Sequence, residues 1–257
     1  MHFKNILTFF IIKCSFKIYE LGENSHRFLI RFWFFRIILL HIKTTSMLEE
    51  IRKVLHQEAE AISNIPVTEE FGKAIDIIEQ HVHQKHGKLV ASGMGKAGQI
   101  ALNIATTFSS TGTPSVFLHP SDAQHGDLGV IQPNDVLLLI SNSGKTREIL
   151  ELVELANRLH PNLPLIVITS NKESQLAQMA DVCLETGNPK EVCILGLTPS
   201  TSTTVMTVIG DVLVVMMMKR INFSNEDYAK RHHGGYLGDK SRLQSKASPQ
   251  PSPKERE

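Results

Sequence analysis

Between residues 89 and 185, short apolar runs alternate with longer segments in which apolar residues recur every three or four positions. Five runs have the length and composition of β-strands: 89–92, 115–118, 136–140, 165–169 and 182–185. The third run (VLLLI) is continuously apolar, as expected of a strand buried on both faces. Helical periodicity ends near residue 108 in the first intervening segment and covers about 148–159 and 173–179 in the later ones. This alternation predicts an α/β fold with a parallel sheet covered by helices on both sides.

Further helices are predicted on either side of the sheet-forming region, at about 47–63, 68–85 and 203–220. The last of them has apolar residues all round and Asp211 as its only acidic residue. Such a helix is buried centrally or in a subunit contact. A membrane span is the alternative, which Asp211, Gly210 and three threonines disfavour.

The first 46 residues differ in composition from the rest of the chain. They hold seven Lys and Arg against two Glu, eight of the 12 Phe and the only Trp, Trp33. Their apolar runs, Ile6–Ile12 and Ile37–Leu40, are shorter than the ~20 residues of a membrane span. A signal peptide would need a small-residue cleavage site, which does not follow. We expect residues 1–46 to be a non-native or disordered extension, with translation starting at Met47.

The overall composition excludes several classes of protein. Lys and Arg number 27 against 26 Asp and Glu, so there is no basic excess for binding nucleic acid. The three cysteines form no C-x-x-C pair, which excludes a disulfide scaffold and a cysteine zinc cluster and suits the cytoplasm. Because residues 245–257 combine three prolines with many charges, we predict a domain over 47–240 and a disordered tail over 241–257.

A glycine-rich turn at 93–98 (GMGKAG) separates the first predicted strand from its helix. Glycines let the backbone approach a ligand, and the helix N-terminus supplies N–H donors for an anion. The turn also matches the dinucleotide fingerprint, but the next strand ends in His119 rather than in an acidic residue that would hold a ribose. A tight turn needed only for packing is the other alternative.

A second loop at 141–146 (SNSGKT) follows the VLLLI strand and precedes a helix. Three hydroxyls, an amide and backbone N–H groups gather there, at the edge where open α/β sheets bind ligands. Helix capping would explain one Ser or Thr but not three. The loop therefore predicts a site for a phosphate monoester, whose three acceptor oxygens these donors can meet.

Several ionisable residues lie in predicted loops or at helix ends. His125 is followed by a glycine that leaves its imidazole uncrowded, although a solvated or structural histidine is the alternative. Glu148 lies in the first turn of a helix, where the dipole alone would favour it. Glu191 precedes the hydroxyl cluster at 198–204 (TPSTSTT), which could simply cap the last helix. The histidines at 81, 83 and 86 do not share one helix face and lack an acidic partner, so we expect no metal site.

Four motifs occur in a fixed order: GMGKAG at 93–98, HPSDAQHGDLG at 119–129, SNSGKT at 141–146 and KEVCILGLTPSTSTT at 190–204. Together they resemble the sugar isomerase (SIS) domain over about residues 47–240, and within it D-arabinose 5-phosphate isomerases without CBS modules. The resemblance implies a flavodoxin-like five-stranded parallel sheet. It also implies an aldose–ketose isomerase that interconverts D-ribulose 5-phosphate and D-arabinose 5-phosphate through an enediolate, for Kdo and lipopolysaccharide biosynthesis.

The resemblance also assigns roles to individual positions. The implied catalytic residues are Lys96, His125, Glu148, Glu191 and His232. The implied substrate-binding residues are Gly93, Gly95, Ser141, Asn142, Ser143 and Thr146. The chain departs from the family pattern at Asp122, where Glu is usual, and at His233, where Pro is usual; the second departure leaves His232 as the better match for the late histidine.

This chemistry needs a base with a pKa near the operating pH, a proton shuttle and donors at the developing oxyanion. His125 or His232 suits the carbon base, with Glu148 and Glu191 relaying protons or holding hydroxyls and Lys96 at the oxyanion. No cofactor, nucleic acid or membrane partner is expected. The resemblance implies a homodimer or homotetramer in which a neighbouring subunit donates His232. Another SIS phosphosugar isomerase, or a non-catalytic sugar-phosphate sensor, remains the alternative.

Overall fold

The computed structural model describes residues 25–247, in which five strands form one sheet. The strands are β1 (Leu89–Gly93), β2 (Ser115–Phe117), β3 (Val136–Ile140), β4 (Leu165–Thr169) and β5 (Val182–Glu185). All neighbouring pairs are parallel, and the strand order is β2-β1-β3-β4-β5. This order confirms the predicted flavodoxin-like sheet.

Helices cover both faces of the sheet. The described helices of the chain are α1 (Ser25–Ser63), α2 (Glu70–Ile78), α3 (Lys96–Ser110), α4 (Pro120–Ala123), α5 (Arg147–Leu159), α6 (Gln175–Met179), α7 (Thr201–Arg220), α8 (Asn225–Arg231) and α9 (Gly235–Ala247), with a π-helical turn at Glu79–Gln84 and a 3-10 turn at Asp127–Val130. Successive side chains of a strand point to opposite faces, so the VLLLI strand contributes to two apolar clusters. One cluster packs α2, α3 and α7 against the sheet, and the other packs α5 and α6.

The chain divides into two compact units, Met1–Leu55 and His56–Glu257. The second unit contains the whole sheet. The first, where the structure describes it, is the upstream part of α1, which begins at Ser25 rather than near Met47. Residues 25–46 therefore lie within this helix. That residues 1–46 are a non-native or disordered extension stays a prediction, and residues 1–24 lie outside the described residues.

The C-terminal end also differs from the sequence expectation. Residues 241–247, placed in the predicted disordered tail, form the end of α9. Ser241 is buried, and its Oγ donates to the Asn225 carbonyl at 2.5 Å, which ties α9 to the start of α8. This contact holds the first residue beyond the predicted boundary against α8. Residues 248–257 lie outside the described residues.

Among the described residues, α7 is the one helix long and apolar enough to cross a membrane. Its mean hydropathy is 1.6, but half of its most apolar window is buried inside the domain. Val205, Ile209 and Leu213 on its inward face are fully buried. This burial confirms the prediction of a central helix.

Candidate active site

The two loops singled out by sequence leave the sheet side by side. β1 lies between β2 and β3, and Gly93 at its end is in register with Ile140 at the end of β3. From β1 the chain continues to β2 on one side of β1, and it then returns to form β3 on the other side of β1. This point, where the strand order reverses, is where open α/β sheets bind ligands.

The glycine-rich turn has two separate structural functions. A Cβ on Gly93 would lie 2.7 Å from the carbonyl carbon of Ala97, and one on Gly98 would lie 2.6 Å from the Gly93 oxygen. The close approach of α3 to β1 therefore requires both glycines, as is expected if the turn is needed for packing. Gly95 differs, because it has a φ of +58° and a Cβ added there would have no atom within 4 Å. It turns the chain and leaves open space at the N-terminus of α3.

The hydroxyl loop is held in shape by its own hydrogen bonds. Ser141 is buried, and its Oγ lies 2.8 Å from Oγ1 of Thr146. The exposed Ser143 accepts a hydrogen bond from the N–H of Lys145 at 3.2 Å. Thr146 is the N-cap of α5 but its side chain makes no capping bond. The Ser143 hydroxyl proton and one proton of the Ser141–Thr146 pair thus remain free to donate to an anion.

The next loop supports this arrangement through residues that the sequence analysis did not identify. The carbonyl of Asn142 accepts hydrogen bonds from Oγ1 of Thr169 at 3.1 Å and from Oγ of Ser170 at 2.7 Å. Gly144 has a φ of +62°, and a Cβ there would lie 1.9 Å from Oγ of Ser174. These contacts join the ends of neighbouring strands, and the hydroxyl-rich sequence at 169–174 was the available signal.

Lys96 follows Gly95 of the glycine-rich turn directly. It is the first residue of α3, and it is exposed in a groove of about 460 Å³ between α3 and α7. Thr203, Thr204 and Thr207 line the other side of this groove. Their hydroxyls donate to carbonyls at the start of α7, so the threonine cluster contributes to the start of the helix as well as to the groove.

Glu191 caps the N-terminus of α7. Its Oε2 accepts hydrogen bonds from the N–H groups of Ser200 and Thr201, each at 2.8 Å, and its Oε1 accepts one from the Ser202 hydroxyl. Partial burial alone would raise the pKa of this carboxyl. The hydrogen bonds from Ser202 and Ser200 outweigh it and hold the pKa below its usual value. Glu191 therefore stays ionised at neutral pH, which favours a positioning role over a proton relay.

Replacing Glu191 with Gln should lower the free energy of unfolding by about 1 kcal/mol at pH 7, because a charged cap of α7 is lost. The folded-state pKa lies below the ordinary value of 4.5. The stabilisation is therefore complete above that value and disappears as the pH falls through the lowered pKa. Urea denaturation from pH 7 to pH 3 should show the difference from wild type shrinking. An equal loss at every pH, or an equal loss in the exposed control Glu154→Gln, would contradict this account.

The His125 loop leaves β2 at the same edge of the sheet. The His125 side chain is exposed, and the backbone N–H of this residue donates to the Asp122 carbonyl at 2.9 Å. Gln124 beside it donates to Glu151 of α5 at 2.8 Å. Glu148 lies one turn before Glu151, so this contact anchors the histidine loop to the helix that carries the predicted acid.

Within its own chain, none of the described contacts of His232 is with the glycine-rich turn or the hydroxyl loop. It ends α8, where its imidazole stacks on Tyr228 with ring centroids 3.8 Å apart and an angle of 7° between the planes. Its Nδ1 lies 3.1 Å from the Tyr228 carbonyl. A carbonyl can only accept, so Nδ1 carries the proton and Nε2 is the basic nitrogen of the neutral ring.

No three His, Cys, Asp or Glu side chains converge as metal ligands within the part of the chain that the structure describes. The histidines in the segment 81–86 instead contact neighbouring side chains. His83 contacts the Thr113 hydroxyl at 3.1 Å, and His81 lies 3.3 Å from Nζ of Lys85. Burial lowers the pKa of both histidines.

Comparison with known proteins supports the sequence resemblance. Residues 81–216 match the SIS domain family. The arabinose 5-phosphate isomerase KdsD of Yersinia pestis is 45% identical over 191 residues, which are 74% of this chain and 56% of that protein. The KdsD protein of Escherichia coli strain K12 is 51% identical over 154 residues, or 60% of this chain and 46% of that one. The chain thus spans about half the length of these curated relatives.

Solved structures with the same fold cover most of the domain. A Bacteroides fragilis protein, proposed to be a phosphosugar isomerase involved in capsule formation, is 67% identical with a TM-score of 0.73, covering 74% of this chain and 99% of that one. Escherichia coli CFT073 c3406, solved in complex with arabinose 5-phosphate, is 36% identical with a TM-score of 0.68, covering 73% and 98%. The family match extends over more than half of the sequence, and the chain belongs to the SIS domain family.

Proposed function

We propose that this protein is an aldose–ketose isomerase that interconverts D-ribulose 5-phosphate and D-arabinose 5-phosphate in the cytoplasm, supplying Kdo for lipopolysaccharide. The observation that carries the proposal is the pairing of two anion-suited loops at the strand-order reversal, with Gly93 opposite Ile140. Relatives named arabinose 5-phosphate isomerase, and a related structure holding arabinose 5-phosphate, support this substrate over other sugar phosphates.

The phosphate of the sugar binds the hydroxyl loop. Ser143 and the Ser141–Thr146 pair donate hydroxyl protons to the phosphate oxygens, and the uncapped N-terminus of α5 adds backbone N–H groups. Asn142 and the open turn at Gly95 border the adjoining space. Such donors suit a dianionic monoester, which they hold at one end while the remaining carbons extend toward the ionisable residues.

The reaction moves a proton between C1 and C2 of the sugar through an enediolate. A neutral histidine removes the carbon-bound proton and returns it to the neighbouring carbon. In the His232 tautomer that carries its proton on Nδ1, Nε2 can accept the proton from carbon, which suits His232 to this role. His125 is the second candidate for the base. Lys96 stabilises the oxyanion, and Glu148 transfers the hydroxyl proton. Glu191, held ionised by its donors, orients the start of α7 beside the sugar hydroxyls.

Completion of this site requires a second copy of the chain. His232 lies at the end of α8, stacked on Tyr228 and away from the two loops in the described contacts. A homodimer or homotetramer would bring the imidazole of one subunit to the loops of another. This arrangement predicts complementation: mixing the inactive variants Lys96→Ala and His232→Ala would form some sites with both native residues.

Proton NMR of D-ribulose 5-phosphate in D2O tests the proposed reaction. Purified protein should convert the ketose to D-arabinose 5-phosphate carrying solvent deuterium at C2, because the base exchanges its proton with water. D-Ribulose without phosphate is the matched control and should react far more slowly. Unchanged ribulose 5-phosphate with folded protein would overturn the proposal, whereas conversion of a different sugar phosphate alone would assign another isomerase.

Ser143→Ala is expected to raise KM by about 10-fold with little change in kcat, because it removes one donor to the non-reacting phosphate. The Ser143 side chain is exposed and only accepts from the Lys145 N–H, so the fold should persist. Steady-state kinetics measures the effect. Ser110→Ala, at the far end of α3, is the control, and an unchanged KM in Ser143→Ala would remove this hydroxyl from phosphate binding.

A further inference from the structure

His119 is a histidine that the proposed mechanism does not use, although it lies at the edge of the sheet that carries the site. It comes two residues after the end of β2, and its backbone is still extended, with φ −72° and ψ 128°. Continued by two residues, the parallel register of β1 and β2 places Gly93 opposite His119. The buried Ser92 hydroxyl holds the two chains together there, because it donates to the Leu118 carbonyl at 2.6 Å. Gly93 is thus flanked by Ile140 on one side and by His119 on the other.

His119 and the hydroxyl loop lie on opposite sides of the glycine-rich turn. Neighbouring strands of a sheet are about 4.8 Å apart, so two spacings, or about 10 Å, separate the end of β3 from the end of β2. An extended five-carbon sugar phosphate has a similar length. If its phosphate occupies the hydroxyl loop, as proposed above, its other end reaches the region of His119.

The imidazole of His119 lies on the face of the sheet that α3 covers. Side chains two residues apart along an extended chain point to the same face, and the His119 ring packs edge-on against the Phe117 ring with centroids 6.3 Å apart. Phe117 in turn packs against the first turn of α3, since a Cβ added to Gly98 would lie 3.7 Å from its ring. His119 is therefore beside the glycine-rich turn that contains Lys96, the residue proposed to stabilise the oxyanion.

The local fold does not use the polar atoms of this imidazole. His119 is the N-cap of the short helix α4, but its side chain makes no capping hydrogen bond. Its Nδ1 is buried without a hydrogen-bond partner among the described residues, whereas 39% of the side chain is exposed. Oδ2 of the exposed Asp122 lies 3.8 Å from Nδ1, and a small movement that closes this gap would be favourable, because a buried polar atom without a partner is costly. With the proton on Nδ1 toward Asp122, Nε2 is the acceptor of the ring.

We propose that His119 is a substrate-positioning residue that receives the end of the sugar opposite the phosphate. Asp122 accepts a hydrogen bond from Nδ1, and Nε2 accepts one from the hydroxyl on C1. The sugar is then held at both ends, which keeps C1 and C2 in place for proton transfer and favours a five-carbon chain over a four-carbon one. The inference rests on the proposed phosphate site, but it does not depend on which histidine is the base.

Binding of sugar alcohol phosphates to the full-length chain tests this contact without turnover. D-Arabinitol 5-phosphate carries a hydroxyl on C1 but has no carbonyl to isomerise, and erythritol 4-phosphate is one carbon shorter. Calorimetry should show the five-carbon compound binding about 5- to 10-fold more tightly than the four-carbon one. His119→Ala should reduce this ratio to about 2 or less and leave the affinity for inorganic phosphate unchanged, because the hydroxyl loop is intact.

Two amide variants separate the roles of the ring nitrogens. His119→Gln places its amide near the position of Nε2 and should keep the ratio within about 3-fold of wild type. His119→Asn places its amide near Nδ1 and should lower the ratio as alanine does. His86→Ala is the matched control, because His86 is exposed and precedes β1 at the opposite end of the sheet, and it should change none of the three affinities. Circular dichroism would verify that the variants keep their fold.

The inference is overturned if His119→Ala keeps the wild-type ratio, if it weakens all three ligands equally, or if the wild-type chain does not distinguish the two sugar alcohols. It is also overturned if His119→Asn keeps the ratio while His119→Gln loses it. A chain that shows the predicted ratios but leaves D-ribulose 5-phosphate unchanged would contradict the isomerase proposal alone. Isomerisation by a wild-type chain whose ratio does not depend on His119 would contradict this inference alone.

Discussion

His232→Ala is expected to lower kcat for ribulose 5-phosphate isomerisation by about 100-fold or more, with a much smaller change in KM. The variant removes the imidazole whose Nε2 is basic while Nδ1 is engaged by the Tyr228 carbonyl. Positioned proton transfer contributes rate factors of about this size. His125→Ala should have an effect of the same order if His125 carries the hydroxyl proton or shares the role of base.

His233→Ala is the matched control, because it changes the adjacent exposed histidine and should retain near wild-type turnover. Subunit mixing extends the test. Equimolar His232→Ala and Lys96→Ala chains, each inactive alone, should regain activity when they exchange subunits. Near-normal kcat in both histidine variants would exclude them as proton carriers, and absence of complementation would place all catalytic groups within one chain.

Gly144→Ala should damage both the phosphate site and the fold. The left-handed conformation that Gly144 adopts at φ +62° is less favourable for alanine by about 1–2 kcal/mol. The added Cβ would also overlap Oγ of Ser174, which adds about 1–3 kcal/mol of overpacking. We expect a loss of about 3 kcal/mol in the free energy of unfolding and a KM raised by at least about 10-fold.

Urea denaturation and steady-state kinetics would measure the two effects of Gly144→Ala. Gly129→Ala provides the control, since Gly129 has no atom within 4 Å of an added Cβ and no positive φ. It should be nearly neutral in stability and KM. A Gly144→Ala protein with wild-type stability and KM would show that the loop is not held as the structure places it.

The strands were predictable because each has a short apolar run with clear ends. All five observed strands agree with the predicted runs to within one residue, and the VLLLI strand is buried throughout as its composition indicated. Helix ends were less predictable, since they depend on contacts that sequence does not show. α1 continues upstream of Met47, and α9 continues past residue 240.

The site was predictable in its residue types but not in their partners. The hydroxyl loop and the glycine turn are adjacent as expected, because parallel strand ends share one edge. The capping role of Glu191 required the fold, since Ser200 and Thr201 lie nine and ten residues away from it. Glu58 was missed for the same reason; its Oε1 accepts from the Thr201 hydroxyl at 2.8 Å across 143 residues.

A crystal structure of this chain with D-arabinose 5-phosphate tests the anchoring of the phosphate at the reversal of strand order. We predict phosphate oxygens within about 2.7–3.2 Å of the Ser143 hydroxyl and of backbone N–H groups at the start of α5. The sugar carbons should then extend toward Lys96 and Glu148. A phosphate bound elsewhere, with this rim of the sheet empty or filled by packed apolar side chains, would contradict the account.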